Sequence, residues 1–595
     1  MSVHDVLIQY ENRLSDLQLS IVQLRLPQAL TAAILAIAIA LFLVLVLYAI
    51  RMQASYLLPS LPALIGAASA WRLQQHRQTR YRMWRLIRFY ERALQRIKGT
   101  WAGSGITGSE FGQPGHVYAS DLHILGEGSL FELLCIARTS IGQRGLAKYL
   151  LDAPPIEQTR LRQDAVRELR DRVDLRERIA TLGEFDFFES KWNTFEEWLE
   201  TPRFSFPRSL PILALMSSTL LGGLLLAGLA AIIPWRTVAI GILPLIAFHA
   251  AIGLFFRRRV NQMCEWVRPV SIETRVLREA LSLVETEHFQ SSKLMHLAGE
   301  VRDGSESICK LERLLNALAE RDKEWFYAPS RYFLMGTQLC MAIERWRTEN
   351  AASLKRWLHA WGEFEALNAL AAYGFENPDN TFPELADSDG CFEAREMGHP
   401  LLSHTSCVAN DVALNSSVPF YVISGSNMSG KSTLLRAIGL NSVLAFAGAP
   451  VRVGYLRLSG LSIIASMSIM DSLLEGKSKF LAEVDRLRQA IESTVENKSV
   501  LFLVDEIFSG TNSRDRRIAA EAVVRTLVKK GAIGALSTHD LALTEIASAD
   551  GLRGANVHMG SRNEHDPLDF DYRLKRGVTR ESNALAIARL AGVPV

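Results

Sequence analysis

Gly425, Ser426, Asn427, Met428, Ser429, Gly430, Lys431 and Ser432 match the spacing G-x-x-x-x-G-K-[ST], and Thr433 follows. Glycines at such positions let a backbone wrap a phosphate, while loop amides and a helix N-terminus supply positive potential. Lys431 is then expected to reach the β- and γ-phosphates of ATP, and Ser432 to ligate Mg2+. Two carboxylates fit the same chemistry. Asp505 and Glu506 close the apolar run 499–506 (SVLFLVDE), where an Asp holds Mg2+ through water and the next carboxylate orients and deprotonates the attacking water. His539 stands two residues after the run 532–537 (AIGALS), a position suited to sensing the γ-phosphate or the lytic water.

Chemistry at these positions needs elements to carry it. Residues 420–424 (FYVIS) read as a strand leading into the loop, and 434–447 (LLRAIGLNSVLAFA) as the helix after it. The carboxylates and the histidine then sit at the carboxyl ends of two more strands, which predicts an α/β P-loop domain.

Elsewhere the chain is unusually apolar. It has 595 residues, room for three or four domains of about 150 residues each. It is 48% hydrophobic and 22% charged with a net charge of +3, and its mean hydropathy is +0.09. That balance argues against disorder and against nucleic-acid binding through a strongly basic whole-chain field. Cys135, Cys264, Cys309, Cys340, Cys391 and Cys407 form no C-x-x-C pair, so reduced thiols are expected rather than a zinc site or disulfides. Four uncharged runs, of 25, 20, 27 and 20 residues, lie between 26 and 71 and between 209 and 256, interrupted only by Arg51 and Arg236. A helix of roughly 20 apolar residues crosses a bilayer, so four transmembrane helices in two hairpins are predicted. His249, inside the fourth run, reads either as a neutral side chain facing the bundle or as a functional intramembrane group. Nine Lys/Arg against one acidic residue in 72–98, and Arg257, Arg258 and Arg259 after the fourth run, put both hairpin bases on the cytoplasmic side. The basic stretch suits lipid headgroups, nucleic acid or a solvated helix face.

From about residue 392 onward the chain resembles the MutS family of DNA mismatch-repair ATPases. Residues 424–433 (SGSNMSGKST) resemble the family's T-G-P-N-M-G-G-K-S-T, and 476–484 (GKSKFLAEV) its G-x-S-T-F-x-x-E-M. Residues 505–513 (DEIFSGTNS) resemble D-E-I-G-R-G-T-S-T, 537–539 (STH) resemble A-T-H, and 572–582 with 588–594 resemble the C-terminal strand and helix. Fainter likeness at 125–155 and 162–169 suggests the family's helical core. The resemblance implies an ABC-type ATPase working as a homodimer with composite sites, Ser478 contacting the γ-phosphate bound to the opposite subunit. Residues 458–462 (LSGLS) also look like a transporter signature, but the Ser478 segment suits the family's order better. Departures are Ser426 for Pro, Ser429 for Gly, Ser509 for an Arg, and Cys407 where the family has an adenine-stacking aromatic. The F-x-E pattern of the mismatch-reading domain recurs at Phe89 and Phe187 only by chance, and the first 120 residues leave no room for that domain.

The expected organisation is an N-terminal cytoplasmic helix (1–25), a first hairpin (26–71), a basic juxtamembrane helix and linker (72–118), an all-α core in two parts (119–208 and 257–376) around a second hairpin (209–256), and the ATPase domain (377–595). Two functions compete. In one, an anchored ATPase dimer moves a lever that grips DNA, in mismatch repair or recombination, with a membrane or DNA-repair protein as further partner. In the other, the lever acts on the lipid bilayer itself.

Overall fold

The computed structural model describes residues 2–52, 57–183, 193–202, 206–207, 209–320, 330–387, 390–403, 405–426, 428–467, 479–493, 499–508, 512–563 and 566–579. Helices α1 (Val3–Met52) and α2 (Ser60–Lys98) run antiparallel. Tyr10 meets Tyr90 edge-on with ring centroids 5.1 Å apart, Arg80 donates to Gln28 at 3.1 Å, and Gly66 packs on Ala38. The short helices α3 (Leu130–Leu134), α4 (Ser140–Leu151), α5 (Ile156–Arg170), α6 (Val173–Ala180) and α7 (Asn193–Glu200) follow. Side-chain caps start two of them: Ser129 accepts from the Glu132 amide, and Thr139 from the Gly142 amide, satisfying amides that a first turn leaves free. Next come α8 (Leu210–Leu229), the 52-residue α9 (Trp235–Thr286), α10 (Ser292–Glu300), α11 (Gly304–Glu320) and the 42-residue α12 (Met335–Glu376).

The apolar helices correct the expected count. Among the described residues three helices, α1, α8 and the first part of α9, are long and apolar enough to cross a membrane, rather than four. The second uncharged run begins at Met52, but α2 starts only at Ser60. Twelve residues then remain before Arg72, about 18 Å of helix against a hydrocarbon core of about 30 Å. The outer faces of the three spans bear exposed Leu, Ile, Val and Phe side chains.

The second half of α9 is buried with α11 and α12 in the main core, so one unbroken helix passes from the apolar span into the helical body. At its far end α12 reaches the α/β part: a Cβ at Gly374 would lie 3.0 Å from Pro450. The same end meets the first helices, where Arg96 of α2 pairs with buried Glu376 at 2.5 Å and Phe375 stacks on Tyr10 at 5.8 Å.

The α/β part holds a four-stranded sheet of β1 (Glu384–Ala386), β5 (Tyr455–Ser459), β2 (Phe392–Met397) and β3 (Asn410–Leu414), in that order. The larger sheet runs β12 (Lys575–Arg576), β9 (Ala555–His558), β4 (Phe420–Ser424), β8 (Ile533–Thr538), β7 (Ser499–Asp505) and β6 (Leu461–Ser466). From β9 to β6 it is parallel, so its carboxyl ends share one edge. Helices α13 (Lys431–Ala447), α14 (Lys479–Ser493) and α15 (Ser513–Lys529) belong to this part, and β10 (Ser561–Asn563) pairs with β11 (Asp566–Phe570). The expected C-terminal strand is present as β12, while its helix lies outside the described residues, as does the pattern at Phe187. Phe89 lies within α2, its neighbour Tyr90 donating to Glu177 at 2.5 Å.

Candidate active site

Strand β4 delivers the phosphate loop and α13 begins at its end. Two of the loop's glycines are required by geometry. Gly425 has φ +152° and a Cβ there would stand 2.3 Å from the Met559 carbonyl oxygen; Gly430 has φ +98° and faces the Tyr572 ring. Between them Met428 adopts φ +68° and is exposed. Lys431, buried, curls into the loop and donates to the Gly425 and Ser426 carbonyls at 2.9 and 2.8 Å. Burial lowers its pKa, against the pull of Asp505 and Glu506, which raises it. Ser432 is half-buried in the first turn of α13 and Thr433 is exposed. The hydroxyls of Ser426 and Ser429 are buried and have no hydrogen-bond partner among the described residues. Both positions depart from the resembled loop. Asn427 lies outside the described residues.

Register brings the acidic groups to the loop. Strand β8 lies between β4 and β7, pairing Ser424 with Thr538 and Asp505 with Ser537. The Ser537 hydroxyl donates to Asp505, and the Glu506 amide donates to the Ser537 carbonyl at 3.2 Å. Glu506 itself sits one residue past the strand in the left-handed region, φ +53°, followed by Phe508 at +54°. A non-glycine residue there costs roughly 1–2 kcal/mol, and such strain gathers at functional sites. The turn aims the Glu506 carboxylate at His539, with Oε1 and Nδ1 3.3 Å apart. The sequence-predicted Lys431, Asp505, Glu506 and His539 thus converge on one edge of the sheet. Ser478 and Ser509 lie outside the described residues.

Other residues support this edge without having been singled out in the sequence. Buried Glu483 on α14 accepts from the Phe508 amide at 2.7 Å, and Arg516 on α15 donates to the Phe508 carbonyl at 3.0 Å. The strained turn is therefore held by the helix that follows the Ser478 segment. Asp121, buried ahead of α3, accepts from the Met467 amide at 2.9 Å and from Arg486 of α14, tying α14 to the helical body. Glu483 carried a signal, as the acidic residue of the 476–484 motif; Asp121 carried none. The transporter-like residues 458–462 span the end of β5 and the start of β6, with Leu458, Ser459 and Leu461 buried. Cys407 places its sulfur 3.2 Å from the His399 amide, while Tyr572, partly exposed, is the aromatic ring beside Gly430.

The donor set fits a nucleotide and Mg2+. Two buried hydroxyls without a partner among the described residues, a buried ammonium and the N-terminus of α13 gather at a loop whose turns at Gly425 and Gly430 leave no room for a Cβ against Met559 and Tyr572. Among the described residues no cluster of three or more His, Cys, Asp or Glu is placed to hold a metal alone. A Mg2+ held by Ser432 and Asp505 would share its remaining positions with phosphate and water, as this ion commonly does. Residues 421–595 match the family model for MutS domain V. This part of the chain is thus a MutS-type domain, an ATP-hydrolysing module of the P-loop, ABC type, joined to a large helical region that has, among the described residues, three helices long and apolar enough to cross a membrane.

Proposed function

We propose that the protein is a membrane-anchored ATPase that works as a homodimer and transmits nucleotide-driven closure to its membrane helices. Lys431 and the amides of 425–433 hold the β- and γ-phosphates, and Ser432 and Asp505 hold Mg2+. Glu506 takes the proton of the attacking water, and His539 fixes the direction of that carboxylate. Ser478 of each subunit completes the site of the other, and Tyr572 offers a ring for the base where Cys407 cannot. The helical body and the ATPase domain lie on the cytoplasmic side. Tyr10 and Tyr90 meet beside Phe375, which supports a path in which α1 and the shorter apolar start of α2 enter and leave the membrane from the same side.

One observation carries the choice of load: α9 is continuous from its apolar span to its buried second half, so a tilt of the helical body tilts the span. The test compares ATP hydrolysis by detergent-solubilised protein alone, with liposomes, and with duplex or branched DNA. Liposomes should change kcat, and deleting residues 209–256 should abolish that response while sparing basal turnover.

A second reading, DNA as load, is supported by the MutS-type domain. Against it, several of the basic side chains of α2 are engaged within the fold. Arg85 donates to the carbonyls of Thr181, Leu182 and Gly183, Arg96 pairs with Glu376, and Lys98 pairs with Glu11. DNA stimulation that is large at low salt and fades as salt rises would favour the second reading over the first.

A further inference from the structure

Within the spans of α8 and α9 there is one polar cluster that a simple anchor does not need. The two helices are antiparallel: a Cβ at Gly228 would touch Val238 at 3.0 Å, one at Gly241 would touch Leu224 at 3.1 Å, and Ser217 lies 2.8 Å from His249 Nε2. His249 is buried and stands eight residues before Arg257, about 12 Å along the helix. Its Nδ1 lies 2.6 Å from the carbonyl oxygen of Tyr332. A carbonyl only accepts, so Nδ1 carries the proton.

The chain at 332–334 therefore reaches the level of His249. Phe333 goes deeper: a Cβ at Gly222 would lie 3.6 Å from its ring. Here the backbone breaks. Leu334 is left-handed at φ +53° and precedes the first residue of α12. The Phe333 carbonyl accepts from Ser218 at 3.0 Å and from Gln338 at 2.9 Å. Leu334 and Met341 then pack with Leu210, Ala214 and Phe256. Irregular backbone at membrane depth is tolerated only where protein groups satisfy it, and His249, Ser218 and Gln338 do so here.

We propose that residues 332–343 enter the bilayer as a re-entrant element, so that α12 begins inside the membrane. The proposal rests on α8 and α9 crossing it. The sequence agrees: 332–343 (YFLMGTQLCMAI) is uncharged and bracketed by Arg331 and Glu344, twelve residues or about 18 Å of helix, enough for a dip and too short for a crossing. Tyr332 is 51% exposed, and exposed Leu, Ile, Met and Phe side chains line the outer faces of α8 and α9 beside it. Hydrocarbon is thus the partner of this surface, and α12 joins the bilayer directly to the ATPase domain.

The test uses the unaltered protein in phosphatidylcholine vesicles with a photoactivated carbene reagent dissolved in the lipid. Trypsin separates peptide 332–345 from 209–236, which carries α8, and from 357–395, which lies in the cytoplasmic body. Labelling of 332–345 within about threefold of 209–236, and at least about tenfold above 357–395, is the expected result. Labelling of 332–345 as low as 357–395, with 209–236 strongly labelled, overturns the re-entrant element while leaving the spans in place. Low labelling of 209–236 as well overturns the spanning reading and this proposal with it. As a second measurement, Tyr332→Cys should react with a charged, impermeant maleimide at least about tenfold more slowly than Arg345→Cys.

Discussion

The phosphate loop and the joint between α8, α9 and α12 both break regular backbone around buried polar groups, and they leave those groups in opposite conditions. Around the loop, Met428, Glu506 and Phe508 are left-handed, and the hydroxyls of Ser426 and Ser429 have no partner among the described residues. At the joint, Leu334 is left-handed, yet the Tyr332 and Phe333 carbonyls both receive donors. An unmade hydrogen bond of a buried group costs about 1–3 kcal/mol. A fold keeps such a cost where a ligand removes it and avoids it where the surroundings are hydrocarbon. The difference separates a place that binds from a place that holds.

The largest effects should separate the two regions most sharply. Glu506→Gln is expected to lower kcat by about 10²–10⁴-fold while ATP binding, read by equilibrium dialysis, persists; Lys431→Ala should lose both. Normal turnover by the Glu506 variant would remove that carboxylate from the chemistry. At the joint, His249→Leu strands the Tyr332 carbonyl and should cost about 1–3 kcal/mol, seen as a lower Tm in detergent with KM for ATP unchanged. An unchanged Tm would mean that His249 does not hold the joint. Ser429→Ala is the milder inverse. Its hydroxyl has no partner to lose among the described residues, so stability should stay within about 0.5 kcal/mol while KM for ATP rises. A destabilised enzyme with unaltered KM would break the distinction.

What the sequence revealed follows how local each feature is. Loop residues 425–433 are contiguous and their spacing is the chemistry, so strand, loop and helix appear where expected. The approach of Glu506 to His539 needs β7 and β8 as neighbours, and that strand order is not written in either run. The short second span was misjudged because an uncharged run does not say where its helix starts. The joint was invisible for two reasons: twelve uncharged residues fall below the length of a span, and His249 and Ser218 lie more than 80 residues from the carbonyls they satisfy. The Asp121 contact with α14 likewise joins residues 365 apart.

Between the two regions, on α12 itself, Glu365 gives the smallest and most specific prediction. It is fully buried and its carboxyl caps the start of α4, accepting from the Arg138 amide at 2.7 Å, the Thr139 amide at 3.3 Å and the Thr139 hydroxyl. Burial raises its pKa to about 7 from 4.5, outweighing these donors, which lower it. The native state therefore binds more protons than the unfolded chain between those values, and stability falls with rising pH across that window. The contribution is fully present below about 4.5 and is lost as pH rises through about 7. Glu365→Gln cannot ionise and keeps an oxygen for the two amides. Wild-type Tm should accordingly drop a few degrees more than that of the variant as pH rises through the upper part of this window, with turnover at saturating ATP equally affected in both. Parallel Tm profiles would assign the slope to other groups and leave Glu365 as a cap alone.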